Sequence, residues 1–236
     1  MQSFFIWNGV DCRSMGIILR GPVSIVRPEE RVNHVQIPGR SGDMTETEGD
    51  NIFNSYIQTA EIQVLNGYRV REIYKWLRGA GYVTFSGEPD RRQKARIIGA
   101  VTLNKLSNNL DIWAGEVQFY CQPFKEMLYE APIEITSSGT KVINMGDVVA
   151  NPMLKVTAST STVVVSSGGK TITCTDYTSG QKLLIDSEVF TIYNEDQTAD
   201  WTKWSSGDFP VLAPGANTVT GSGWSKIELT KRERFL

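Results

Sequence analysis

Only one stretch of the chain, GYRVREIYKWLRG at residues 67–79, repeats its apolar residues at the spacing of a helix. Val70, Ile73, Tyr74 and Leu77 fall at i, i+3, i+4 and i+7 and share one face, with charges on the other. Asn66 is placed to cap its start, and Gly79 to take the left-handed C′ position. A chain of 236 residues with a single helical segment must build its core from strands. The rest of the first half alternates accordingly. In IWAGEVQFYC, Trp113, Val117, Phe119 and Cys121 share one face, while Glu116, Gln118 and Tyr120 share the other. IQTAEIQVL (57–65), YVTFSG (82–87) and ARIIGAVTL (95–103) read as further strands. The expectation is a mainly β protein whose first half is a β-sandwich or small barrel with one packed α-helix.

The chain changes character near Pro132. Ser and Thr number 12 in residues 1–130 and 27 in residues 131–236, and beyond residue 130 arginine occurs only at Arg232 and Arg234. Such a shift at a proline predicts two modules, residues 1–131 and 132–236. The second has no helical period. MLKVTA (153–158), TVVVSS (162–167), KTITCT (170–175), KLLID (182–186) and EVFTIYN (188–194) are short strands separated by turn residues. Val163–Val165, the SSGG of residues 166–169, then Ile172 and Cys174 predict a hairpin.

Catalytic chemistry finds little to work with. His34 is the only histidine, and a lone histidine beside strand residues is ordinarily structural. Cys12, Cys121 and Cys174 are widely spaced with no CxxC and read as free thiols of a reducing cytosol, and with one histidine a structural zinc set is missing. GRSGD (39–43) lacks the spacing and the Lys-Ser/Thr ending of a phosphate loop. Asp43, Glu46, Glu48 and Asp50 fit no calcium loop, and Glu46, Glu48 and Asp50 alternate with Thr45, Thr47 and Gly49 as a solvated strand face would. Glu88 and Asp90 read as turn formers rather than a glycosidase pair. The adjoining Arg91, Arg92, Lys94 and Arg96 carry no interleaved aromatic and read as a solvated loop or charged subunit contact. A net charge of −2 gives no general pull toward nucleic acid. In MQSFFIWNGVDC the apolar run is too short for a signal peptide or membrane span. No catalytic residue, metal ligand or cofactor is expected, and no membrane partner.

The order of motifs resembles a family. FFIWNGVDCRSMGIIL and RVNHVQIPGRSGD look like the opening of the distal tail proteins of long-tailed, non-contractile bacteriophages, and QFYCQPFKEM (118–127) like the exit of their N-terminal domain. LLIDSEVFTIYN (183–194) and SSGDFPVLAPGANTVTGSGWSKIELTKRERFL (205–236) resemble the end of their galectin-like C-terminal β-sandwich. Ser41 stands where Asp is commoner in the family. The resemblance implies a structural hub of the virion tail, assembled in the host bacterial cytoplasm. Its N-terminal domains form a hexameric ring joining the tail tube protein to the tail-tip or baseplate hub protein, around the path of the tape-measure protein and DNA. The C-terminal domains project outward toward receptor-binding proteins. A near-neutral charge suits a sleeve through which DNA slides without sequence-specific binding.

Two sets of residues are candidate contacts. In VQIPGRSGDMTETEGD (35–50), Ile37-Pro38-Gly39-Arg40 suits a type II turn, Pro38 presetting φ and Gly39 supplying φ > 0. Gly42 and Gly49 then bracket the acidic segment, so the stretch reads as an arm. Pro38, Gly39 and Arg40 are expected to fix its root, and Gly42, Asp43, Glu46, Glu48 and Asp50 to meet a neighbouring subunit or the channel. The alternative function is a carbohydrate-binding module with Trp201, Trp204 and Trp224 as stacking residues; core packing and loop anchoring is the favoured reading of those three.

Overall fold

Alternation along one long strand organises the first part of the protein, seen here in a computed structural model that describes residues 3–47, 49, 52–106 and 110–236. The chain divides into two compact units, Met1–Leu128 with Leu236, and Tyr129–Phe235. The strands of the first are β1 (Phe5–Trp7), β2 (Val10–Asp11), β3 (Ile17–Leu19), β4 (Val32–Val35), β5 (Met44–Thr47), β6 (Tyr56–Val64), β7 (Ala80–Phe85), β8 (Arg91–Ile98), β9 (Leu103–Lys105) and β10 (Trp113–Met127). The main sheet runs β2-β1-β7-β8-β10-β6-β3, with β9 on the start of β10. β10 pairs with β6 from Trp113 to Cys121, and with β8 on both sides of an irregularity between Cys121 and Lys125.

Val117, Phe119 and Cys121, on one side of β10, are fully buried. Phe119 meets Phe5, Trp7 and Phe85 at centroid separations of 5.3, 5.6 and 5.6 Å. Truncating so enclosed a ring to alanine costs about 3–5 kcal/mol. Helix α1 (Val70–Trp76) covers this face: Ile73 and Leu77 enter the same core and Trp76 stacks on Phe5 at 5.7 Å.

The helix is shorter than its apolar period. Residues Gly67–Arg69 form a 3-10 turn, α1 ends at Trp76, and Leu77 is the C-cap, so Gly79 at φ +78 lies beyond the C′ position. Asn66 makes no capping side-chain bond; the Gly67 amide is taken instead by Asp111. Residues 91–96 are strand rather than solvated loop. Gln93 and Ala95 point into the core, while Arg92 and Lys94 face Glu126 of β10 at 3.4 and 3.5 Å. The segment 95–103 is split between β8 and β9, with Gly99 at φ +70 in the break.

The second unit is a sandwich of two five-stranded sheets. Its strands are β11 (Ile133–Ile135), β12 (Thr140–Asn144), β13 (Met153–Ala158), β14 (Val163–Ser167), β15 (Lys170–Cys174), β16 (Lys182–Asp186), β17 (Thr191–Asn194), β18 (Trp204–Gly207), β19 (Gly215–Ser222) and β20 (Trp224–Thr230). One sheet is ordered β11-β20-β13-β16-β17 and the other β12-β19-β14-β15-β18. Val156, Ile185 and Ile227 of the first share a core with Val142, Val165, Ile172 and Val219 of the second. The β14–β15 hairpin closes through Gly168-Gly169 at φ +60 and +76, a two-residue turn that both residues enter with positive φ. β17 begins only at Thr191, because Phe190 takes φ +52 and breaks the predicted strand.

Candidate interaction surfaces

The stretch read as an arm is a hairpin outside the main sheet. β4 and β5 pair with each other alone, in the register Val32↔Thr47, Asn33↔Glu46, His34↔Thr45 and Val35↔Met44. Its root lies where Arg31 N donates to Ile52 O and Asn54 N to Glu29 O, both at 2.8 Å. Phe53, nearly buried, anchors that root edge-on against Phe124 of β10 at 5.8 Å.

The Pro38-Gly39 turn is formed as its residues dictate: Gly39 has φ +82 and Arg40 N donates to Ile37 O at 3.1 Å. It sits in the loop between β4 and β5, however, at the far end of the hairpin from residues 29–31 and 52–54. Pro38, Gly39 and Arg40 therefore shape the tip and not the root. All three are exposed, as are Gly42, Asp43 and Glu46; Glu48 and Asp50 lie outside the described residues. Val35, Ile37 and Met44 are exposed by 40%, 39% and 37%. A lone two-stranded hairpin is marginal in water, and this one carries apolar side chains that are each more than a third exposed. His34 lies on it as well, with Nδ1 3.3 Å from the Thr45 hydroxyl.

The tryptophans separate. Trp224 packs against the sandwich core and donates Nε1–H to Val164 O at 3.2 Å, as a core-anchoring residue does. Trp201 and Trp204 are not packed in the core, being 50% and 41% exposed. Trp201 opens a 3-10 turn (Trp201–Lys203) capped by Asp200, whose geometry turns the ring outward beside Phe209.

Residues considered for chemistry are engaged in structure. Glu88 pairs with Arg91 and with the nearly buried Lys125, each at 2.7 Å, so its carboxylate is committed to two cations. The three cysteines are free and buried, and burial pushes the Cys121 and Cys174 thiols up to about 12. Thiols held that high are poor nucleophiles. Among the described residues there is no group of three or more metal-ligating side chains, and no helix long and apolar enough to cross a membrane.

What sequence reading missed is the role of the C-terminal KRER. Arg232 grips Asp186 through both terminal nitrogens at 2.5 and 2.9 Å, Arg234 reaches Glu188 at 3.5 Å, and Lys231 pairs with the buried Glu233. The partners of the two arginines lie 46 positions away, where no local pattern points to them.

No protein-family model matches the chain, and no curated protein matches it. Among solved structures, the Dit protein of phage SPP1, described as a paradigm of the hub adsorption apparatus in phages infecting Gram-positive bacteria, matches with a TM-score of 0.81. The two are 20% identical, and the match covers 100% of both chains. A chain of the phage p2 baseplate, in its activated conformation with strontium, matches with a TM-score of 0.51 at 11% identity, over 97% of this chain and 96% of that one. From end to end, then, this mainly β chain has the fold of a phage tail hub protein, in agreement with the resemblance carried by its motifs.

Proposed function

We propose that the chain is a structural hub of a bacteriophage tail, without catalytic activity. The observation that carries this reading is the likeness in fold to a phage hub protein over the whole of both chains. Six copies close head to tail into a ring built by the first unit, which joins the tail tube protein to the tail-tip or baseplate hub protein. The ring surrounds the path of the tape-measure protein and of DNA, and the second unit supports receptor-binding proteins. Assembly takes place in the host cytoplasm, and the product is part of the virion tail.

The exposed β4–β5 hairpin supports the oligomeric part of the reading. Its partly exposed Val35, Ile37 and Met44, together with acidic Asp43 and Glu46, form a surface that a neighbouring copy would bury. A net charge of −2 agrees with a collar that DNA passes without adhering.

Size-exclusion chromatography with light scattering, followed by electron microscopy of the main peak, tests it. A six-fold ring with a central channel is expected. A chain that stays monomeric at micromolar concentration overturns the reading.

A further inference from the structure

Two half-exposed aromatic rings flank Phe209 in the second unit. Phe190 is 54% exposed and Trp201 50%; Phe209 between them is nearly buried. Their centroids lie 5.7 and 6.1 Å from that of Phe209, at interplanar angles of 80° and 70°. Neither outer ring lies flat on Phe209, so each keeps at least one face clear of it.

The backbone is arranged to hold these rings outward. Phe190 sits at φ +52, a region where a bulky residue is strained and which persists only when its surroundings enforce it. The preceding turn supplies that enforcement. Asp186 Oδ1 accepts from the Glu188 and Val189 amides at 3.0 and 3.4 Å, while Arg232 clamps the same carboxylate. On the other side, Asp200 Oδ1 accepts from Thr202 N, and Oδ2 from Asn194 Nδ2, both at 3.1 Å. Each ring therefore follows a turn tied down by an aspartate. Such preorganisation lowers the entropy lost when a ligand is bound.

The chemistry near the rings selects the ligand. Asp200, next to Trp201, is held ionised by the Thr202 hydroxyl and the Asn194 amide; Glu195, Asp196 and Asp208 follow in the adjoining segments. The nearby cations are occupied, Lys203 by Asp176 O and the Tyr177 ring, and Lys182 by Glu195. Carboxylate acceptors beside aromatic faces repel phosphates and other anions. They suit a molecule with C–H faces to stack and hydroxyls to donate. We propose that Phe190 and Trp201 form a stacking platform for a neutral oligosaccharide, with the acceptor position of Asp200 Oδ2 that Asn194 leaves open taking a bond from one of its hydroxyls. Trp224, bonded to Val164 O, is not part of it. The proposal is independent of ring assembly.

The full chain is tested on an array of immobilised neutral hexose and N-acetylhexosamine oligosaccharides, and the best binder is then titrated in solution by tryptophan fluorescence. Trp201→Ala and Phe190→Ala should each weaken binding about tenfold or more, Trp201→Phe should restore most of it, and Trp204→Ala should change it less than about twofold. Melting curves of each variant separate lost binding from lost folding. Absence of any binding up to about 1 mM, or binding indifferent to both alanine substitutions, overturns the proposal. So does a Trp201→Ala variant that binds glycan normally but no longer self-associates, which would assign the patch to contact between copies.

Discussion

Asp111 holds the start of the helical segment from 44 positions away: its Oδ2 accepts the Gly67 amide at 2.7 Å, and its Oδ1 accepts Trp113 Nε1–H at 3.1 Å. A Cβ at residue 67 would lie 2.3 Å from both Asp111 Oδ1 and Trp113 Nε1. Gly67→Ala must therefore push this clasp apart, at about 1–3 kcal/mol, the usual range for overpacking. Urea denaturation followed through Trp76 and Trp113 fluorescence should show a lower midpoint. The bond from Trp113, then that from Gly67, holds the Asp111 carboxyl below its usual range. A depressed folded-state value contributes stability above the unfolded pKa of a carboxylate and loses it as pH falls through the folded one. Asp111→Asn should accordingly flatten the acid limb of the stability curve below about pH 4.

Arg232 and Asp186 make the second electrostatic clasp. Burial pushes the Asp186 carboxyl up, but the Arg232 guanidinium and the Glu188 and Val189 amides outweigh it and leave it below the ordinary value. Arg232→Ala removes the cation and strands a largely covered carboxylate, costing about 1–3 kcal/mol. Arg232→Lys keeps the charge without the two-pronged geometry and should recover only part of that loss. Both are measured as denaturant midpoints of the full chain. Because the Asp186 pKa is lowered, the difference between wild type and Arg232→Ala should be full at neutral pH and shrink as pH falls through the folded-state value. A difference that did not shrink anywhere along the acid limb would contradict the assignment.

These two clasps also show where sequence reading stops. Period-two alternation identified β10 and β13 to β16, and the Gly-Gly and Pro-Gly pairs gave the correct local turns, because each signal is contained in a few consecutive residues. Asp111 replaces Asn66 as cap because tertiary approach, not local spacing, decides which acceptor reaches the Gly67 amide. Residues 91–96 were obscured by their polarity: Arg92 and Lys94 face outward against Glu126, and only Gln93 and Ala95 mark the inner face. The Pro38-Gly39 turn was recognised but placed at the wrong end of its arm, since nothing local reveals that Phe53 meets Phe124. Exposure of Trp201 was equally hidden, as it follows from the Asp200-capped turn and the position of Phe209.

Cys121 and Cys174 offer a readout of global opening. Their thiols are fully buried and pushed up to about 12 by burial, so at pH 8 they remain protonated as well as inaccessible. Cys12 is raised for the same principal reason. A chromogenic disulfide reagent should find no reactive thiol in native protein at pH 8 and three in urea. Rapid labelling of Cys121 under native conditions would show that the β10 core opens locally.

The hairpin yields the sharpest assembly prediction. Its root is built from the Arg31–Ile52 and Glu29–Asn54 backbone bonds and the Phe53–Phe124 contact, all outside residues 41–50. Deleting 41–50 removes β5 and the acidic side of the arm but leaves that root and the main sheet's pairing intact. None of the described residues among those ten positions belongs to the core of the first unit. The shortened chain should therefore keep a cooperative thermal transition within a few degrees of the parent, while light scattering reports monomers in place of rings. Val35→Asp with Met44→Asp should act in the same direction, by placing like charges directly across the hairpin where a partner would need an apolar surface. Rings that persist in both variants would show that the hairpin is solvated in the assembly and that the copies meet elsewhere.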